Sequence, residues 1–179
     1  MHLFGPDTRP TGDYVTDVSD PVGGTINFSQ ELYHSEIGDG WETWSHGYTG
    51  DVYDTAGSLS PGSLTLSLLG TVHAFYFYAE PTQWDNFTIT AVADDGTTLS
   101  QVVNGQGGAT GYGFYTDGLQ SIASIQISTT DTDGFAIAEF ATGRASTGLP
   151  EGGSTLTLAA IALVSMFAGR ARVRRGTTV

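Results

Sequence analysis

Residues 72–79 read Val72-His73-Ala74-Phe75-Tyr76-Phe77-Tyr78-Ala79. Successive side chains of a strand point to opposite faces, so Phe75 and Phe77 take one face and Tyr76 and Tyr78 the other. Rings of this kind favour strands. Bulk on both faces belongs to a strand covered on both sides, so this one is expected at the centre of a sheet. The same period extends outward. Ser63 to Leu69 sets Leu64, Leu66 and Leu68 against Ser63, Thr65 and Ser67, a half-buried strand. Phe87 to Val92 alternates as cleanly and runs into Asp94-Asp95-Gly96, a turn in which Asp and Gly tolerate left-handed backbone. Shorter runs fall at Thr25–Phe28, Leu99–Val102, Tyr112–Tyr115, Ile122–Ser128 and Phe135–Phe140, while Gly47–Tyr53 reads as strand or ordered loop. Turn signals recur about every 8–12 residues with no helical period, which predicts roughly eight to ten short strands. The expected fold is all-β: an antiparallel, jelly-roll-like β-sandwich.

Composition narrows the function. The chain has 19 acidic residues, six arginines and no lysine. All but one of the acids precede Pro150, against Arg9 and Arg144 alone. A nucleic-acid binder needs cations to displace counterions from phosphates, so that class is set aside. Without cysteine there is no disulfide, thiolate nucleophile or thiolate-held metal. The acidic balance fits an exported surface protein.

The C-terminal stretch differs in kind. Leu149-Pro150-Glu151-Gly152-Gly153-Ser154 precedes an uncharged apolar run from Leu156 to Ala168, then Arg170, Arg172, Arg174 and Arg175. As a helix the apolar run is roughly 20 Å long, short for a bilayer core of about 30 Å. Extended to Thr155–Val173, with arginines reaching the interface, it becomes a marginal membrane-spanning helix. Arginines on one side place the C-terminus in the cytoplasm and residues 1–154 outside.

This order of polar motif, apolar segment and basic end resembles the PEP-CTERM sorting signals recognised by exosortases. Pro150 and Glu151 match the Pro-Glu pair; Leu149 stands where Val is usual, and Gly152 replaces the second Pro. The resemblance implies an exosortase as processing partner, export, residence in the inner membrane during sorting, and cleavage near Pro150–Glu151. The body is similar to an uncharacterised group of PEP-CTERM proteins. The shared stretches are Trp41 to Tyr53, Ala74 to Pro81 and Phe135 to Phe140. Such proteins begin with a secretory signal. Met1–Asp7 has no basic n-region or apolar h-region, so a disordered or truncated leader is expected over residues 1–20. A β-sandwich follows over 21–142, then a linker with the sorting motif over 143–154, and the transmembrane segment with its Arg-rich end over 155–175.

Within the body, Trp41, Trp44 and Trp84 with Glu80 are the candidate glycan contacts. Indole faces stack on the C–H faces of sugar rings, and a carboxylate binds hydroxyls. Trp84, in the Pro81–Asn86 loop, is expected to be the exposed one. The competing reading makes these aromatics ordinary core. Asp94, Asp95, Asp131 and Asp133 lie on tight acidic loops that would suit a structural Ca²⁺, although both segments are also good plain turns. Ser45-His46, five residues before Asp51, brings a Ser–His–Asp hydrolase to mind. No nucleophile elbow accompanies it, so His46 is expected to bond a backbone carbonyl. Glu42 and Glu80 would be the carboxylate pair of a glycosidase. The expected function is non-enzymatic: an exosortase-sorted cell-surface or matrix protein associating with extracellular polysaccharide. The alternatives are a self-associating matrix component and a glycoside-active enzyme.

Overall fold

The computed structural model describes residues 1–20, 23–117 and 120–144. The linker, the sorting motif Leu149–Ser154, the apolar segment and the basic end Arg170–Arg175 lie outside these residues. Among the described residues no helix is long and apolar enough to cross a membrane.

The described residues form twelve strands: β1 (His2–Leu3), β2 (Tyr14–Ser19), β3 (Thr25–Ile37), β4 (Gly40–Trp41), β5 (Asp51–Asp54), β6 (Ser63–Leu68), β7 (Ala74–Pro81), β8 (Asn86–Ala93), β9 (Thr98–Asn104), β10 (Thr110–Tyr115), β11 (Ser124–Thr129) and β12 (Phe135–Gly143). All pairings between strands are antiparallel except the short β3–β4 contact. The order is β10-β7-β12-β5-β3-β6-β11-β8-β9. Long β3 belongs to both halves: Tyr33–Ser35 pair with β5, while Ile26–Phe28 pair with β6. The sheet folds about this strand, because Tyr112 of β10 donates its hydroxyl proton to the Ile89 carbonyl of β8 at 3.1 Å. The result is the all-β antiparallel, sandwich-like architecture that the alternation predicts.

β7 is central, between β10 and β12, as the two bulky faces require. Phe75 and Phe77 are fully buried in the main core with Leu64, Leu66, Ile89, Ile125, Ile127 and Ile137. Phe77 stacks on Tyr112 with ring centroids 5.3 Å apart. Side chains of this size gain about 1.5–3 kcal/mol each on burial, which makes this face the main source of stability.

The opposite face of β5, β12 and β7 carries a second apolar cluster. Ala136 and Ala138, alternating with Phe135 and Ile137, join Trp44, Val52 and Ala109, and Ile37, Trp41, Tyr48 and Tyr78 pack against them. The segment 42–50 therefore lies over this outer face.

One expectation is corrected. Residues 1–20 are not a loose leader: β1 pairs with β12 and β2 with β3. Arg9 ties the arm together, reaching Asp7 at 2.6 Å and Asp17 at 3.2 Å. Residues rich in Pro and Asp show no periodicity, but strands this short need none when a partner edge is available.

Candidate functional site

The outer face of β10, β7 and β12 is where aromatic and polar groups converge. The register places Gly113 opposite Tyr76 and Gly111 opposite Tyr78 on one side. On the other side it places Ala141 opposite Tyr76 and Ala138 opposite Tyr78. Two half-buried tyrosines thus stand on a floor of glycine and alanine. The space above Gly113 is open, and a Cβ on Gly111 would come within 3.2 Å of the Tyr78 ring. The rings lie 5.4 Å apart and nearly perpendicular, at 86°. Perpendicular rings do not form one flat plane.

The polar end of this face is built by a bulge and a turn. Between Ala138 and Ala141 the β12 register slips, so Glu139 and Phe140 oppose Phe77 alone. Glu139 takes left-handed backbone (φ 54°), a position that normally asks for glycine. Phe140 stays in the main core. Glu139 turns to the outer side, where Oε1 accepts from Trp44 Nε1 at 2.7 Å and Oε2 from His46 Nε2 at 3.0 Å. Ser45-His46-Gly47-Tyr48 is closed by a bond from Tyr48 N to the Ser45 carbonyl at 3.2 Å. His46 and Gly47 both have positive φ (44° and 80°), which makes this a type I′ turn. Ser45 Oγ lies 2.7 Å from His46 Nδ1. The imidazole centroid is 4.7 Å from the Tyr78 ring. The Tyr76 phenol is pushed above its ordinary range by burial and then by the nearby Glu139 charge.

The sequence-based candidates fare differently. Trp41 and Glu80 do meet, but as a closed internal contact: Trp41 Nε1 donates to Glu80 Oε2 at 2.9 Å. Thr43 Oγ1 and the Gly108 N–H take up Oε1. Glu80 is 0% exposed. Burial raises its pKa, opposed by bonds from Trp41, the Gly108 and Gly107 backbone and Thr43. Trp44 is 9% exposed with its N–H spent on Glu139. Trp44 is thus a core residue, and Trp41 is half-buried against the same cluster with its N–H spent on Glu80. Trp84 is 58% exposed, as expected. Its loop is pinned by bonds from Gln83 N to Asp131 Oδ2 and from Gly105 N to the Asp85 carbonyl. Glu42 is exposed while Glu80 is buried.

His46 bonds Ser45 and Glu139 rather than a backbone carbonyl. Asp51 goes instead to His34 Nε2, at 2.7 Å. The acidic loops do not converge either. Asp94 follows the Ala93–Ile125 end of the β8–β11 ladder, and Asp131 lies beyond its Ile89–Thr129 end. Asp131 Oδ1 and Asp95 Oδ1 close local turns, accepting from Asp133 N and Thr97 N, while Asp94 Oδ1 accepts from Ala123 N on the neighbouring segment. Among the described residues no group of three or more His, Asp and Glu is placed to hold a metal.

Beyond Glu139 a cleft of about 580 Å³ runs under the N-terminal arm, between Phe4, Arg9, Tyr48, Tyr53 and Phe140. Its charged groups are already paired, Arg9 with Asp7 and Asp17, and Asp51 with His34.

No protein-family model matches the chain, and no curated protein matches it in sequence. Several solved structures are similar at low identity. One is the Clostridium thermocellum endo-1,4-β-D-xylanase 10B, CBM22-1 and GH10 modules, complexed with xylohexaose. It is 12% identical with a TM-score of 0.38 over 66% of this chain and 25% of that one. The chain thus spans about a quarter of that protein. TmCBM61 in complex with β-1,4-galactotriose gives 12% identity and a TM-score of 0.34 over 66% and 88% of the two chains. A family 29 carbohydrate-binding module gives 10% and 0.30 over 71% and 97%.

Proposed function

We propose that this protein is exported to the cell surface or extracellular matrix, and that its sandwich holds a single polysaccharide chain on the outer face of β10, β7 and β12. The observation that carries the binding reading is the Tyr76–Tyr78 pair on its Gly111, Gly113, Ala138 and Ala141 floor. Sugar rings present apolar C–H faces, and half-buried phenols offer both a stacking surface and a hydroxyl. Gly111 makes room for the Tyr78 ring, and the open space at Gly113, opposite Tyr76, leaves room for the chain to descend. Beside the rings, Ser45 and His46 offer groups for sugar hydroxyls. Exposed Trp84, on its pinned loop, is a second and separate apolar contact.

Sorting rests on the tail alone. The motif Leu149–Ser154, the apolar segment within 155–175 and the arginines fit an exosortase substrate held in the inner membrane and then released.

The binding test is affinity electrophoresis of the protein in gels of neutral and acidic polysaccharides, comparing wild type with the Tyr76→Ala/Tyr78→Ala double variant. Retardation lost in the variant supports the face; equal mobility in every gel rejects it. The sorting test is the intact mass of the mature protein from hosts with and without an exosortase. Loss of the residues after about Pro150 only when the enzyme is present supports processing.

A further inference from the structure

The outer face contains a three-residue relay that glycan binding does not require. His46 and Glu139 are the only non-glycine residues with positive φ among the described residues, and they touch each other. Left-handed backbone disfavours a non-glycine side chain, and such outliers gather where a group must be held in one place. Plain turn chemistry would put Asn or Gly at 46, and plain bulge chemistry Gly at 139. Here both positions hold side chains with acid–base chemistry.

The hydrogen bonds fix the direction of the relay. The Glu139 carboxylate can only accept, so His46 Nε2 carries the proton toward it. In the neutral imidazole Nδ1 is then the acceptor for the Ser45 hydroxyl, 2.7 Å away. Trp44 Nε1 holds the second oxygen of Glu139, so the carboxylate cannot swing off the imidazole. A nucleophile, a base in reach of it and a third group that orients the base make up the arrangement of an activated serine, whatever the chain order. The ring nitrogens are used in the reverse of the common sense, with serine on Nδ1 and carboxylate on Nε2. The chemistry is the same, since either nitrogen can accept when the other is protonated.

The turn also supplies donors. The N–H of His46, the residue after the serine, and that of Gly47 bond no acceptor among the described residues. They are available to a developing oxyanion, the role such amides play after a nucleophile on a tight turn. Asp51, five residues after His46, is committed to His34; the carboxylate that completes the set comes from a strand 93 residues away.

We infer that Ser45, His46 and Glu139 form a hydrolytic relay for acyl esters, and that the esters it meets are O-acyl groups on a sugar chain lying over Tyr78. The relay stands without the glycan reading; the choice of a sugar ester rests on it. Ser45 Oγ attacks the acyl carbonyl carbon while its proton passes to His46 Nδ1. The bond to the sugar oxygen breaks, and that oxygen takes the proton back from Nδ1. Water then adds to the Ser45 ester with the same histidine as base, releasing the carboxylic acid and restoring the serine. Glu139 is a positioning residue: it holds the tautomer and balances the imidazolium.

The test uses the full chain with three probes: an alkyl fluorophosphonate, p-nitrophenyl acetate and an O-acetylated polysaccharide. The expected results are covalent phosphonylation mapped to Ser45 and acetate release from both substrates. Ser45→Ala should lower that release by roughly 10³-fold or more. Glu139→Gln should lower kcat with KM unchanged and displace the limb of the pH–rate profile that reports the imidazole. Ser45→Ala removes one oxygen from a surface turn and keeps the fold, so its melting temperature serves as the control. Absence of label at Ser45, or release by Ser45→Ala at the wild-type rate, overturns the relay. Loss of polysaccharide binding with p-nitrophenyl acetate turnover intact would instead reject the glycan reading and leave the relay standing.

Discussion

Trp41 Nε1 donates to Glu80 Oε2 at 2.9 Å, joining the start of the outer-face segment to the end of central strand β7. Both groups are satisfied inside the protein, Glu80 also by Thr43 and Gly108. They therefore act as a clasp that holds segment 42–50 over the sheet.

Removing the carboxylate should open that clasp. Glu80→Ala leaves the Trp41 indole, the Gly108 amide and the Thr43 hydroxyl without their acceptor. An orphaned buried donor costs about 1–3 kcal/mol, so a loss of roughly 2–4 kcal/mol is expected. Glu80→Gln keeps one good acceptor and should lose about half as much. Urea unfolding checks this, and a Glu80→Ala midpoint equal to wild type would show that the segment is held by packing alone.

Binding should depend on the tyrosines more than on the exposed tryptophan. Tyr76→Ala or Tyr78→Ala is expected to weaken polysaccharide affinity about 10-fold each, or roughly 1.4 kcal/mol. Gly113→Leu adds a side chain into open space opposite Tyr76 and should block the face with little effect on stability. Titration calorimetry with a responding polysaccharide decides. If Trp84→Ala is the variant that abolishes the heat, the binding face lies at the β7–β8 loop instead.

Where the described chain ends, Arg144 Nη2 reaches Asp20 Oδ2 at 2.7 Å and also bonds the Gly23 and Leu69 carbonyls. Gly24 and Gly70 leave the room, since a Cβ at either would press on the guanidinium. Arg144→Ala removes the guanidinium from Asp20, 7% exposed, and breaking such a pair costs about 3–5 kcal/mol when fully buried. With the arginine partly exposed, about 2–3 kcal/mol is expected. Arg144→Lys should recover only part, because an ammonium lacks the planar fork. Thermal unfolding of the three proteins checks the ranking.

Acidity should stabilise the domain in one window. Burial pushes Asp54 from 3.8 to about 6, against bonds from Ala56 N and Ser35 Oγ. A raised folded pKa means that the native state holds a proton the unfolded chain has lost, so stability falls as pH rises from about 4 to about 6. The effect is at most about 3 kcal/mol. Asp7 works in the opposite sense. Burial raises it, but bonds from Arg9 and Tyr53 prevail and hold it well below the carboxylate range. Its contribution is lost only in stronger acid, outside this window. Asp54→Asn should flatten the melting temperature between pH 4 and 6 and raise it at pH 7. Parallel profiles for the two proteins would show that Asp54 is not the group responsible.

Alternation alone determined the class of fold. Leu64, Leu66 and Leu68 in β6, Phe75 and Phe77 in β7, and Ile125 and Ile127 in β11 all face the core as a period of two demands. The central place of β7 was legible for the same reason, as was the exposure of Trp84 on a loop between two strands. Tertiary structure decided the rest. Trp41 and Trp44 carry no mark in the sequence that separates a glycan platform from a clasp, because the acceptors of their N–H groups, Glu80 and Glu139, lie 39 and 95 residues away. Strand pairing likewise sent the acidic turns to opposite ends of one ladder and gave Asp51 to His34. The bulge at Glu139 leaves no local signal either: a slip of register exists only between two strands, and it alone turns that carboxylate outward to meet His46. Which side chains face inward is a local property of the backbone period. Which polar groups meet depends on register between distant strands, and only the folded chain sets that.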